Sequence, residues 1–236
     1  MRVADNAWLA SKGDDGTVLK KLAARDALME STKSAVTTYR HPLFAFPDVP
    51  IVLVEGKFDE IYLRLAMEAA AVRPRWKLLS PDAALGEGSG GDALYQTLKY
   101  NQHVVQSRPN SAPVVVLRDW EATDKAKYDA VLRLHPYSEC LIAPGANTNP
   151  ELDEEFVGIE RFLSTDFIKN GVEPAKLGTE NGKYTIKKRN LNAAKQSLAA
   201  LAGTGETVGP FMESLARWLD AEVNRILGTI PPGDFH

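Results

Sequence analysis

Between residues 48 and 143, short apolar runs alternate with stretches of helical period. Ile51-Val52-Leu53-Val54 is a continuous apolar run after Pro50, rich in β-branched residues and ended by Glu55-Gly56, which predicts a buried strand. Residues 57–71, KFDEIYLRLAMEAAA, then place Phe58, Ile61, Tyr62, Leu65 and Ala69 at helical spacing, with Glu60, Arg64 and Glu68 four apart on another face. Trp76-Lys77-Leu78-Leu79 predicts a second, weaker strand, followed by the loop GEGSGGD and a helix over ALYQTLKYNQHVV. Val114-Val115-Val116-Leu117 reads as the third strand and ATDKAKYDAVLRL as the helix after it. Glu139-Cys140-Leu141-Ile142-Ala143 is a short fourth strand, stopped by Pro144-Gly145. Repeated β-α units imply parallel strands joined by right-handed crossovers. The expected fold class is α/β: a three-layer domain with a mainly parallel four-stranded sheet over residues 48–170, plus helical N- and C-terminal additions.

The flanks are less regular. Residues 14–39 place Val18, Leu19, Leu22, Leu28 and Met29 on an approximate helical stripe, so residues 1–47 are expected to form a helical arm. Pro42, Pro47 and Pro50 then favour extended chain leading into the main domain. Residues 171–236 hold the turn-rich segment GTENGKYT, a basic helix candidate LNAAKQSLAALA and an amphipathic helix over 210–227. They are expected to form a basic and helical C-terminal extension whose last helix packs on the core or on another subunit, leaving oligomerisation open.

Composition narrows the classes. With 236 residues, 44% apolar and 25% charged, the chain is an ordinary globular one, which excludes disordered, collagen-like and coiled-coil readings. Lys plus Arg is 28 against Asp plus Glu 31, a formal charge of −3, so nucleic-acid contact must come from a local patch. No apolar run approaches the roughly 20 residues of a bilayer-spanning helix. The start MRVADNAWLASKGDD lacks the order of a secretory signal. A soluble, cytoplasmic protein without membrane contact is expected. The single cysteine, Cys140, rules out intramolecular disulfides and multi-cysteine zinc sites and reads as a core residue. Histidines at 41, 103, 135 and 236 are too scattered to suggest a zinc centre.

In a parallel sheet, functional residues gather beyond the carboxyl ends of the strands. After strand one stands Glu55, with Asp59 one helical turn on. After strand three stand Asp119 and Glu121, spaced so that an extended backbone would point both the same way. After strand four, ELDEEFVGIERFL carries five acids and no base between 151 and 160, Glu160 among them. Carboxylates from several strand ends, without histidine or cysteine, match a hard cation such as Mg²⁺ or Mn²⁺. Two such ions would support in-line phosphoryl displacement, the chemistry of a nuclease.

The same residues carry a resemblance. VEGKFDEIYL, SGGDALYQTL, VVLRDWE and GIERFL, in this order over about residues 50–165, resemble the TOPRIM fold. They are most similar to the TOPRIM nucleases of the OLD type (overcoming-lysogenisation defect) of bacterial phage defence. The resemblance implies that Glu55, Asp59, Asp119, Glu121 and Glu160 hold Mg²⁺ or Mn²⁺, with Glu121 standing where the family usually has an aspartate. It implies a nuclease acting on DNA or RNA, held in check until a partner triggers it. No GxxxxGK[ST] motif occurs, so an ATPase, if used, would be a separate partner.

Basic residues complete the candidate set. Lys57 stands near any phosphate bound beside Glu55 and is a candidate catalytic residue. In KYTIKKRNLNAAK, Lys183, Lys187, Lys188, Arg189 and Lys195 form a positive stretch that would track a nucleic-acid backbone or supply a charge-stabilising lysine. Each candidate also has a plain explanation: acids at helix starts gain from the helix dipole, Asp119 caps a helix, and Glu160 belongs to a solvated acidic face. Two rival functions stay open. One is a non-catalytic TOPRIM-like subunit that binds nucleic acid or protein; the other is a phosphoryl-transfer enzyme acting on small nucleotides.

Overall fold

The computed structural model describes residues 6–13, 16–23, 43, 46–80 and 90–231, with the backbone alone for the first two stretches and for 188 and 189. The chain divides into two compact units, Met1–His41 and Pro42–His236. In the first, strands β1 (Asn6–Gly13) and β2 (Gly16–Ala23) pair antiparallel with Gly13 opposite Gly16. Two residues separate the paired glycines in the sequence, the spacing of the commonest hairpin connection. The helical arm expected over 1–47 is therefore corrected over 6–13 and 16–23, where Val18, Leu19 and Leu22 belong to a strand. A sparse apolar pattern fits either period, and a pairing partner directly upstream decides it. Most of the rest of that arm, including Leu28 and Met29, lies outside the described residues.

In the second unit β3 (Ile51–Leu53) leads to helix α1 (Lys57–Ala69), and β4 (Lys77–Leu79) to α2 (Gly91–Tyr100) and α3 (Gln102–Ser107). Next come β5 (Val114–Arg118), α4 (Lys125–Leu132) and β6 (Glu139–Ile142). The four strands are parallel in the order β4-β3-β5-β6. The single helix expected after the glycine-rich loop is split at Asn101, whose backbone (φ −112°, ψ 26°) leaves helical geometry. Its side-chain amide donates to the Thr97 carbonyl instead.

Alternation along the strands builds two cores. Val52, Val54, Val115, Leu117 and Leu141 pack with Tyr62, Leu63 and Met67 of α1. Ile51, Leu53, Val114, Val116 and Cys140 pack on the opposite face with Leu94, Leu98, Tyr128 and Leu132. The sheet is thus the middle of three layers. Burial of the Cys140 thiol pushes its pKa up to about 12, so it is an inert core group. Arg108 fixes the approach to β3 by donating to the carbonyls of Leu43, Phe46, Val49 and Ala112.

Beyond β6 come a 3-10 turn (Gly158–Phe162), α5 (Thr165–Gly171), the hairpin β7 (Leu177–Glu180) and β8 (Lys183–Ile186), α6 (Lys188–Ala202) and α7 (Pro210–Gly228). The segment GTENGKYT forms that hairpin, with Asn181 (φ 49°) and Gly182 (φ 79°) in the left-handed region that a tight Asn-Gly turn requires. The segment expected over 171–236 as a helical extension is helical in much of its described part and packs on the core, one of the two expected alternatives. Leu191, Ala194 and Leu198 of α6 and Met212, Leu215, Leu219 and Val223 of α7 are buried in the same core as α1. Each large side chain among them contributes roughly 1.5–3 kcal/mol by leaving water. Trp76 ties the layer to the sheet by donating to Asp220 at 2.9 Å.

Candidate active site

The strand order places the reversal of winding between β3 and β5, because β3 leads to β4 on one side and the chain returns to β5 on the other. Loops leaving the carboxyl ends of those strands part at that point and open a crevice. Glu55 follows the end of β3, and Asp119 directly follows the end of β5. The crevice encloses about 450 Å³, and its lining includes Glu55, Gly56, Lys57, Asp59, Gly90, Asp119, Glu160, Asn192, Lys195 and Gln196.

Local structure explains each placement. Asp59 sits in the first turn of α1, where its Oδ2 accepts the Gly56 N–H at 2.9 Å. It is both a helix cap and a wall of the crevice. Glu160 lies on the 3-10 turn with no exposed surface, its Oε2 2.8 Å from Lys195 Nζ. Gly158 opens that turn at φ 80°. A side chain built there would meet Glu160 Oε2 at 3.0 Å, Asp119 Oδ2 at 3.3 Å and Lys195 Nζ at 3.4 Å. Three functional atoms therefore surround a space that only glycine leaves open.

Glu121 differs from expectation. The strand ends at Arg118 and the chain turns at once, with the Ala122 N–H donating to the Asp119 carbonyl at 3.0 Å. The alternation that would have aimed Glu121 alongside Asp119 is lost. Glu121 is exposed, lies outside the crevice lining, and accepts the Gly158 N–H at 2.7 Å. It braces the turn that carries Glu160. Trp120 packs against Arg161, whose guanidinium lies 4.5 Å from its ring centroid.

The carboxyls are electrostatically costly. Burial, and next the neighbouring Glu160, pushes Asp59 up to about 8. Burial first, then repulsion from Asp59 and Glu55, holds Asp119 well above the ordinary carboxylate range. Glu160 and Glu55 are raised by burial against the opposing pulls of Lys195 and Arg118. Burial alone would lower Lys195, but Glu160, Asp59 and Asp119 together outweigh it and keep the ammonium charged.

Of the basic candidates, Lys57 lines the mouth and Lys195 reaches the acids, whereas Lys183 and Lys187 are exposed and lie outside the lining. The side chains of Lys188 and Arg189 lie outside the described residues. A signal for Lys195 is present in the sequence: Leu191, Lys195 and Leu198 fall on one helical stripe, so a lysine occupies a core-facing row. Sequence reasoning missed Arg118, whose Nη1 is 2.7 Å from Glu55 Oε1 and whose Nη2 is 2.9 Å from Asp124 Oδ1. Its signal was position, since it shares strand parity with the inward-facing Val114 and Val116.

Among the described residues no group of three or more His, Cys, Asp or Glu side chains is arranged to hold a metal ion as it stands. Arg118 engages Glu55, the Gly56 N–H engages Asp59, and Lys195 engages Glu160. The donors nonetheless suit a hard cation. All are oxygens, they repel one another, and Glu160 Oε1 is buried without a hydrogen-bond partner. Comparison with protein families, curated proteins and solved structures finds no match for this chain, so its function is read from this crevice.

Proposed function

We propose that the protein is a metal-dependent nuclease of TOPRIM type that hydrolyses nucleic-acid phosphodiesters. Glu55, Asp59, Asp119 and Glu160 would hold Mg²⁺ or Mn²⁺, with Glu121 bracing the turn behind them. One observation carries the reading: acids from the ends of β3 and β5, from the first turn of α1 and from the 3-10 turn meet Lys195 in one crevice at the switch point of the sheet. The order of VEGKFDEIYL, SGGDALYQTL, VVLRDWE and GIERFL supports the TOPRIM assignment. Bound cations would generate a nucleophile from water and stabilise charge on the phosphate oxygens. Lys195 presents a partly buried ammonium beside the acids, where it stabilises negative charge better than in water. Lys57, at the mouth, meets the incoming backbone. A role as the effector of a bacterial anti-phage system, triggered by a separate ATPase or sensor, rests on the resemblance alone.

A second reading, a subunit that binds nucleic acid or protein without cleaving, is favoured by the engagement of Glu55 and Glu160 with internal cations. Cleavage of plasmid, linear DNA, single-stranded DNA and structured RNA in Mg²⁺, Mn²⁺ or EDTA separates the two. Metal-dependent cleavage lost in both Glu55→Ala and Asp119→Ala supports the nuclease. No cleavage in any condition, with nucleic-acid binding unchanged in the variants, sinks it and leaves the binding subunit.

A further inference from the structure

Parity along β5 sends Asp119 toward the layer of Val115 and Leu117, and Arg118 toward the layer of Val114 and Val116. There Arg118, 8% exposed, has its guanidinium held on several sides. It lies 4.7 Å from the ring centroid of Tyr128 on α4 and is ion-paired to Asp124. Against it stands Gly91 in the first turn of α2, where a built Cβ would come within 1.9 Å of Nη1. Any side chain at that position displaces the guanidinium. Its remaining arm meets Glu55 Oε1 at 2.7 Å, and the Asp119 N–H donates to that same oxygen at 3.2 Å. An ion pair and a hydrogen bond on one oxygen leave Oε2 as the oxygen that Glu55 can offer to the crevice.

We propose that Arg118, seated between Gly91 and Tyr128, is a positioning residue for the metal site: its ion pair holds Glu55 Oε1 away from the crevice so that Glu55 would present Oε2 to a divalent cation. The inference rests on the metal reading of the crevice. A pre-aimed, single-oxygen carboxylate suits an ion that demands near-octahedral geometry and retains several waters. Lysine cannot replace the guanidinium, because a point charge does not span Glu55 and Asp124 as a planar fork does.

The test is Mn²⁺ binding to the full chain, read from the paramagnetic resonance of free Mn²⁺, with a circular-dichroism spectrum of each variant to confirm folding. Arg118→Lys and Gly91→Ala both preserve every charge, so altered affinity reports geometry. Each is expected to weaken Mn²⁺ binding about 10-fold or more, as loss of a residue behind a metal ligand does. The double variant should be no weaker than the weaker-binding single one, because both act on one contact. Glu55→Gln controls the metal reading. If it binds Mn²⁺ as the wild type does, the metal site fails and this proposal with it. If Glu55→Gln loses Mn²⁺ while folded Arg118→Lys and Gly91→Ala bind normally, the positioning role alone is overturned. Should Arg118→Lys not fold, Tyr128→Leu, which removes the stacking surface and no charge, takes its place with the same expectation.

Discussion

Lys195 Nζ lies 2.8 Å from Glu160 Oε2, and that glutamate has no exposed surface. Removing one partner of a buried pair costs about 3–5 kcal/mol when the other charge is stranded. Glu160 escapes part of this by taking a proton, which its raised pKa makes easier at low pH. Lys195→Met should therefore destabilise the protein by about 2–3 kcal/mol at pH 8 and by clearly less at pH 5. Adding Glu160→Gln should recover most of the loss. Urea unfolding at both pH values checks this, and an equal loss at each would show that the pair is not what holds the turn.

Glu55, Asp59, Asp119 and Glu160 all bind protons more tightly in the folded chain than in the unfolded one. Between the ordinary carboxylate range and the Asp59 value of about 8, the folded state carries more protons, so stability falls as pH rises. His135, lowered by burial, works in the opposite direction as a single group against four. The protein in EDTA should be more stable at pH 5 than at pH 8 by at least about 1 kcal/mol, roughly 2–4 °C in Tm. Mn²⁺ should narrow the gap, because it competes with the same protons. Thermal melts that are flat or rising over this range in EDTA would contradict the buried acid cluster.

Asp119 and Glu121, two positions apart, should separate in their effects on cleavage. Asp119→Asn removes a charge from the crevice and should cost more than the roughly 10–100-fold typical of a group behind the ligands. Glu121→Gln retains an oxygen for the Gly158 N–H and should cost about 10-fold or less. Single-turnover cleavage in Mn²⁺ measures both. Equal losses would return Glu121 to the ligand set.

Gly209 enters α7 at φ 98°, and a Cβ there would lie 2.4 Å from the Ser164 Cβ. Ser164 is itself the cap of α5, its Oγ accepting the Phe167 N–H at 3.2 Å. Backbone strain and the collision together should make Gly209→Ala about 2–3 kcal/mol less stable. A loss below about 0.5 kcal/mol in urea would mean that the first turn of α7 moves aside freely.

How far the sequence could be read depends on how local each signal is. Pro50, the β-branched run after it and the Glu55-Gly56 stop lie within a few residues of one another, so β3 was legible. The rule for parallel sheets then led to Glu55 and Asp119 without any tertiary information. Arg118 was not legible as a partner, because an arginine beside an aspartate reads as solvated until α2, α4 and the loop after β3 close around it. Glu121 was misplaced because spacing was projected past the point where the strand stops. For Lys195 the stripe was visible, but its destination required α6 to dock on α1 and α5.

Because strand parity alternates, Glu55 is anchored through Arg118 in one outer layer, whereas Asp119 faces Gly158 and Lys195 in the other. Both leave neighbouring strands of one sheet and are tied by the Asp119 N–H on Glu55 Oε1, so the sheet fixes their spacing while each outer layer controls only its own carboxylate.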